Sequence, residues 1–414
     1  MRRSFFYFNL LLIFFLSFSA GVVGNLFSQE RIQLVESVPV ETNLGIPETA
    51  RTLNVWLDMI NSAETSLDIE IFYLSHEPGE SLEEIISAAE SAAKREVKVR
   101  IIVDAKFYNI YPETLQELNS IKNIEARKIG FFNEMNGVQH AKYFIVDSKE
   151  VFLGSQNYDW RSLKHIHELG VRVHQPELAE LLISIFEMDW QLSEGDDNHF
   201  NIHQSKIPEE KQINSTNPAT VNWQDETVSI FPTLSPNSLV PEGLEKDEVQ
   251  ILNMINNARE KIYIQLLSYE PEYRGEFYPD IDDALRAAAV RGVQVKLLVS
   301  DWNKRQPGIQ YLKSLKVLQN IEVKLSTVPA YSSGFIPFAR VEHCKFMLVD
   351  DSLSWIGTSN WAKNYFHNSR NLALVFKSRH VNDLIEKVFL NSWEGSYTYF
   401  VDPAEDYEPP RISE

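Results

Sequence analysis

One block of this chain is written twice, and that duplication limits the folds open to it more than any other feature. Met59-Ile60-Asn61-Ser62-Ala63 recurs as Met254-Ile255-Asn256-Asn257-Ala258. Each copy closes a short helical pattern and leads into an apolar strand, 66–74 in the first half and 261–269 in the second. A helical period of about 3.6 follows in both. Leu82, Ile85, Ile86 and Ala89 share a face, as do Ile281, Ala284, Leu285 and Ala288. An alternating strand comes next, through Val97, Val99 and Ile101 or Val293, Val295 and Leu297. Strand, helix and strand, repeated, predict an α/β protein. Its two pseudo-symmetric halves are each expected to be a mixed sheet flanked by helices.

The halves match again where the chemistry lies. His140-Ala141-Lys142 precedes an apolar strand that ends at Asp147, and His343-Cys344-Lys345 precedes one that ends at Asp350. Gly154-Ser155-Gln156-Asn157 follows the first copy and Gly357-Thr358-Ser359-Asn360 the second, at equal distances from their histidines. A single His-x-Lys is weak evidence. Two with the same internal spacing, each followed by a Gly-Ser/Thr-x-Asn turn, are strong evidence for one shared active site. In extended chain, residues two apart face the same way, so each His and Lys can enter one cleft.

These side chains suit a phosphodiester. Lys142 and Lys345 balance phosphoryl oxygens, and the amides of Asn157 and Asn360 donate to them. One neutral histidine attacks phosphorus, while the other, protonated, supplies the leaving oxygen with its proton. A phosphohistidine then yields to water or another alcohol. Which histidine attacks stays open on this reasoning. Glu168 sits as far past His140 as Asn371 does past His343. A carboxylate there could orient a histidine, and the Glu/Asn difference could decide which one attacks. Asp147 and Asp350 are read as braces for the motif strands, with Ser155, Thr358 and Asn371 in support. No cofactor and no metal is expected, since lysine is a poor metal ligand and a single cysteine makes no zinc framework. Cys344 stands where the first copy has Ala141, which marks a small packing residue. His165, His167 and His174 have no counterpart at matched spacing and are read as structural or exposed. Tyr158, Trp160 and Trp361, near the motifs, are candidates for base stacking, with core packing as the plainer role.

Composition narrows the partners. The net charge is -19 over 414 residues, which argues against a broad surface for duplex DNA but not against a small cationic slot. Arg2 and Arg3 precede a mostly apolar run from Phe5 to Gly24. Residues 1–28 therefore read as a cleaved secretory signal or an uncleaved membrane anchor. Either places the catalytic part outside the cytoplasm. The remainder divides into a first half at 45–193, a linker or wrapping segment at 194–241, a second half at 242–400 and a loose acidic tail at 401–414. Trp223, Val228, Ile230 and Phe231 could pack within the linker.

The two motifs resemble those of the phospholipase D superfamily, and in particular its animal lysosomal and endoplasmic-reticulum D3 and D4 branch. The likeness is carried by 140–170, by Tyr278-Pro279-Asp280-Ile281-Asp282-Asp283-Ala284-Leu285-Arg286, by Ala339-Arg340-Val341-Glu342-His343 and by Asn364-Tyr365-Phe366. It runs over about 45–400. The resemblance implies a phospholipase D-like fold with one central active site. It implies His140 as nucleophile, His343 as general acid, and Lys142, Lys345, Asn157 and Asn360 on the phosphate. It also implies removal of nucleotides from the 5′ end of single-stranded DNA or RNA, in acid conditions. The alternative is a phospholipid phosphodiesterase or transphosphatidylase. Membrane association through the N-terminus and a homodimer are compatible with it. The chain departs from animal members in having one cysteine, and from some relatives in closing the second motif with Asp350 rather than Glu.

Overall fold

The computed structural model describes residues 31–193 and 206–413. The expected signal or anchor at 1–28 and the start of the expected linker lie outside them. Among the described residues no helix is long and apolar enough to cross a membrane.

Two mixed sheets share one plan. In the first, the strand order is Ala50–Arg51, Ile32–Ser37, Glu168–His174, Glu150–Gly154, Tyr143–Val146, Ser66–Glu70, Lys98–Asp104, Ile124–Ile129. In the second it is Ala219–Trp223, Glu226–Ser235, Asn371–Lys377, Leu353–Gly357, Phe346–Val349, Lys261–Leu266, Gln294–Ser300, Ile321–Ser326, Thr398–Phe400, with Glu245–Lys246 alongside Glu226–Ser235. From Ile32–Ser37 to Ile124–Ile129 and from Glu226–Ser235 to Ile321–Ser326 the orders match strand for strand, and Thr398–Phe400 is an addition to the second sheet. The motif strands run antiparallel to the first strand of each parallel set.

Side-chain alternation explains how each sheet is held. Along Tyr143–Val146, Tyr143 and Ile145 join one buried cluster while Phe144 and Val146 join another. The second of these packs the helices Thr52–Ser62 and Leu82–Lys94 on the first sheet, through Trp56, Ile60, Ile85 and Ala92. The first takes in the helix Pro176–Leu192 and continues into the strands of the second half, so the halves share a core. A four-residue strand buried on both faces cannot exchange faces without exposing apolar area at about 25 cal/mol per Å².

Three boundaries differ from the sequence reading. Glu226–Ser235 is no linker: it is the second-half counterpart of Ile32–Ser37, paired with Asn371–Lys377 from Ser229 to Ser235. The first half begins before residue 45, because Ile32–Ser37 pairs with Glu168–His174. The end of the chain packs. Val401 and Ile412 are buried, and the Phe338 N–H donates to the Ile412 carbonyl at 2.8 Å.

Candidate active site

Each motif is bound to the opposite half. Gln139 bridges Arg370 in parallel pairing, and Glu342 bridges His167 in the same way. The His140 N–H donates to the Arg370 carbonyl and the His343 N–H to the His167 carbonyl, both at 2.8 Å. In return the Arg370 and His167 N–H groups donate to the Val138 and Val341 carbonyls, both at 3.0 Å. These reciprocal bonds are a pseudo-twofold contact, and they bring both histidines to one place. Lys142 Nζ donates to the His140 carbonyl at 2.7 Å and Lys345 Nζ to the His343 carbonyl at 2.9 Å. Both lysines are fully buried.

The histidines are oriented crosswise. His140 Nδ1 lies 3.0 Å from Asn371 Oδ1. Asn371 Nδ2 donates to Ser235 Oγ and to the Tyr365 carbonyl, so its oxygen is the atom turned to the ring. An acceptor there fixes the proton on Nδ1 and leaves Nε2 with a lone pair. His343 Nδ1 lies 2.6 Å from Glu168 Oε1, and the Ser162 hydroxyl donates to the other carboxylate oxygen. Glu168 therefore serves His343, and the residue at the matching position serves His140.

Burial and the two ammonium groups hold His140 and His343 well below the ordinary imidazole range. Burial raises the Glu168 carboxyl well above its usual range, so the short bond to His343 shares one proton between two groups that both resist charge. Burial and Lys345 push Lys142 well down, and burial brings Lys345 down to about 7.

Asn157 and Asn360 are buried, and neither Oδ1 has a partner among the described residues. Ser155 Oγ and Thr358 Oγ1 accept from the Leu169 and Leu372 N–H groups at 3.2 Å, which ties each Gly-Ser/Thr turn to the strand carrying Glu168 or Asn371. Asp147 and Asp350 stand at the far ends of the motif strands. They accept the N–H groups of Glu64, Thr65 and Ser66, and of Arg259, Glu260 and Lys261, so they clip the turn before each central strand.

The sequence reading missed the rings that touch His140. Phe72 and Tyr365 meet it edge-on at 4.9 and 4.8 Å. By repeat position they face Leu267 and Ser162 in the other half, so a search for matched pairs passes over them. Tyr158 and Trp361 are core instead. Tyr158 stacks on Trp56 at 4.5 Å, and Trp361 packs against Trp355. Beside the site a cavity of about 380 Å³ opens in the second half, bounded by Asn360 and Tyr365 and lined by Glu270, Glu272, Arg305 and Tyr311 among others.

Among the described residues, His167, Glu342 and Cys344 form a grouping whose ligand atoms could meet at a metal. Both His167 nitrogens are already engaged, Nδ1 by Glu342 at 2.7 Å and Nε2 by Glu36 at 2.8 Å. Burial opposes charge on this ring, but Cys344 and Glu342 beside it outweigh burial and raise its proton affinity well above the ordinary value. The grouping is a buried imidazolium between two carboxylates. His167 is thus structural, and Cys344 is packed at its edge.

Residues 56–190 and 251–393 each match the family described as cardiolipin synthase, PLD-like domain. The chain belongs to the phospholipase D superfamily. It is 33% identical over 407 residues to the 5'-3' exonuclease PLD3 of Bos taurus, covering 90% of this chain and 81% of that one. It is 32% identical to the virion nicking-joining enzyme of Vaccinia virus, over 84% of each chain. The phosphatidylserine synthase of Haemophilus influenzae has the same fold, with a TM-score of 0.57 at 14% identity, over 86% of this chain and 87% of that one. The chain is thus a phospholipase D-type phosphodiesterase on the branch that includes PLD3.

Proposed function

We propose that the protein removes nucleotides from the 5′ end of single-stranded DNA or RNA, through a phosphohistidine and with no step routed through a metal. The crosswise orientation of the histidines carries the mechanism. His140, with its proton fixed on Nδ1 by a neutral amide, attacks phosphorus through Nε2 as the P–O bond to the leaving group breaks. His343, backed by the Glu168 carboxyl, gives its Nε2 proton to the departing oxygen. Water then attacks the phosphohistidine and passes a proton to His343, and the P–N bond breaks to restore His140. Lys142, Lys345, Asn157 and Asn360 hold the non-bridging oxygens throughout.

The cavity beside this centre supports nucleic acid over lipid. Its wall of Glu270, Glu272 and Arg305 is polar, and burying those groups against acyl chains would cost several kcal/mol. The exonuclease name of the PLD3 relatives agrees with this reading. The apolar run at 5–24 supports a place outside the cytoplasm.

The test is a paired assay with EDTA present, between about pH 4 and about pH 8. It offers a 5′-hydroxyl single-stranded oligonucleotide and phosphatidylcholine vesicles, with His140→Ala and His343→Ala as controls. Stepwise loss of nucleotides from the 5′ end, absent in both variants, is the expected result. Headgroup release without nucleotide release would reverse the substrate. Activity abolished by EDTA would sink the metal-free route.

A further inference from the structure

The fold alone does not make the cavity of the second half. By repeat position Leu267 and Ser268 stand where the first half has Phe72 and Tyr73. There the space is filled with rings: Phe72 lies 4.1 Å from Phe107, and Tyr73 stacks on Phe107 and on Tyr111 at 5.6 and 5.7 Å. In the second half the same region is open and polar. The unpartnered Oδ1 of Asn360, a residue only 6% exposed, belongs to its wall.

Resting on the exonuclease reading, we propose that this cavity holds the terminal nucleoside and selects guanine. Two carboxylates line it, so a second phosphate would be repelled and a chain end is favoured over a continuing strand. Tyr311 engages Glu272 at 2.8 Å, while Glu270 accepts a hydrogen bond from the Ser268 hydroxyl and meets no cation among the described residues. Arg305 is exposed at the rim, and among the described residues its guanidinium has no partner. Trp302 and Tyr365 contribute aromatic rings to the wall, and unpaired bases stack on such rings. Guanine offers two adjacent N–H donors on its Watson–Crick edge, which match the two oxygens of Glu270. Its O6 and N7 acceptors on the other edge match the fork of Arg305. No other common base has both a double-donor and a double-acceptor edge. Burial raises the proton affinity of Glu270, and a double-donor edge favours its ionised form.

The experiment compares four 5′-hydroxyl oligonucleotides that differ only in the first base. Release of that first nucleotide is timed for the full chain and for the Glu270→Gln and Arg305→Ala variants. The wild-type chain is expected to release guanine-ended nucleotides about tenfold faster than thymine-ended ones. Each variant should bring that ratio toward one. The ratio is taken within one preparation, so partial misfolding cancels, and Arg305 lies at the surface where truncation leaves the core intact. Equal wild-type rates on all four ends, or ratios unmoved in both variants, would overturn the guanine assignment and leave the exonuclease reading standing. No release from any end would instead sink the exonuclease reading.

Discussion

Lys345 titrates closer to neutrality than any lysine in water, because burial brings it down to about 7. Its ammonium form, the one that can hold a phosphoryl oxygen, dominates below that pH and fades above it. Its titration should therefore place the alkaline limb of kcat/KM for the free enzyme no higher than about pH 7, and lower where the buried acid His343 loses its proton first. Arginine stays charged across the whole range, so Lys345→Arg should move that limb upward even if it lowers the maximum. A limb unmoved in Lys345→Arg would assign the titration to another group. Glu168 is tested separately. Glu168→Gln keeps an acceptor for His343 Nδ1 but removes the carboxyl that shares its proton. A loss in kcat on the order of 10²-fold is expected, steepest with poor leaving groups. Equal losses with good and poor leaving groups would place Glu168 outside the proton transfer. The repeated motifs made the histidines, lysines and asparagines legible in the sequence. The pairing of Glu168 with His343 was not legible, because the two lie 175 residues apart and meet only when the halves dock.

At the scale of elements, the contact between the halves depends on close backbone approach. A Cβ on Gly137 would stand 2.0 Å from the Asn368 carbonyl oxygen, a main-chain atom with little room to yield. Gly137 directly precedes Val138, whose carbonyl accepts from Arg370 in the pseudo-twofold contact. Gly137→Ala should therefore cost about 1–3 kcal/mol in urea unfolding and lower kcat as well, since the displaced segment leads into His140. Wild-type stability and rate in this variant would show that the contact is softer than its geometry. Element order was readable wherever apolar periods were long, as in the helices Leu82–Lys94 and Asp280–Val290. Glu226–Ser235 was hidden for a physical reason. Pro232 lacks an N–H and demotes a sequence from central strand. The ladder to Ala219–Trp223 ends at Ile230 and that to Glu245–Lys246 begins at Thr233, so the proline sits in the gap between the two on that side. By register its counterpart Ile32–Ser37 shares only Ile32 with Ile230 and Ser37 with Ser235, too little to mark the true start of each repeat.

Across the whole molecule, the two halves are joined by unlike ionic networks at equivalent places. At one, Arg370 reaches Asp189 at 2.7 Å, and Glu70 takes hydrogen bonds from Gln139 and Tyr143. At the other, the His167 imidazolium lies between Glu36 of the first half and Glu342 of the second. A buried charge is costly alone and tolerable when paired, so removing the imidazolium should strand Glu342, while Glu36 keeps Arg51 at 3.3 Å on its other oxygen. His167→Leu is expected to lower stability by about 3–5 kcal/mol, seen as a fall in the urea midpoint. Adding Glu342→Gln to the same chain should recover part of that loss, because the stranded charge goes with the cation. The order of the effects carries the argument. If the double variant were less stable than His167→Leu alone, Glu342 would be stabilising in its own right, and the network would not be a charge-balanced clamp. If His167→Leu were neutral, the ring would be uncharged in the folded chain, and the halves would be held by the shared apolar core and the reciprocal main-chain bonds around His140 and His343.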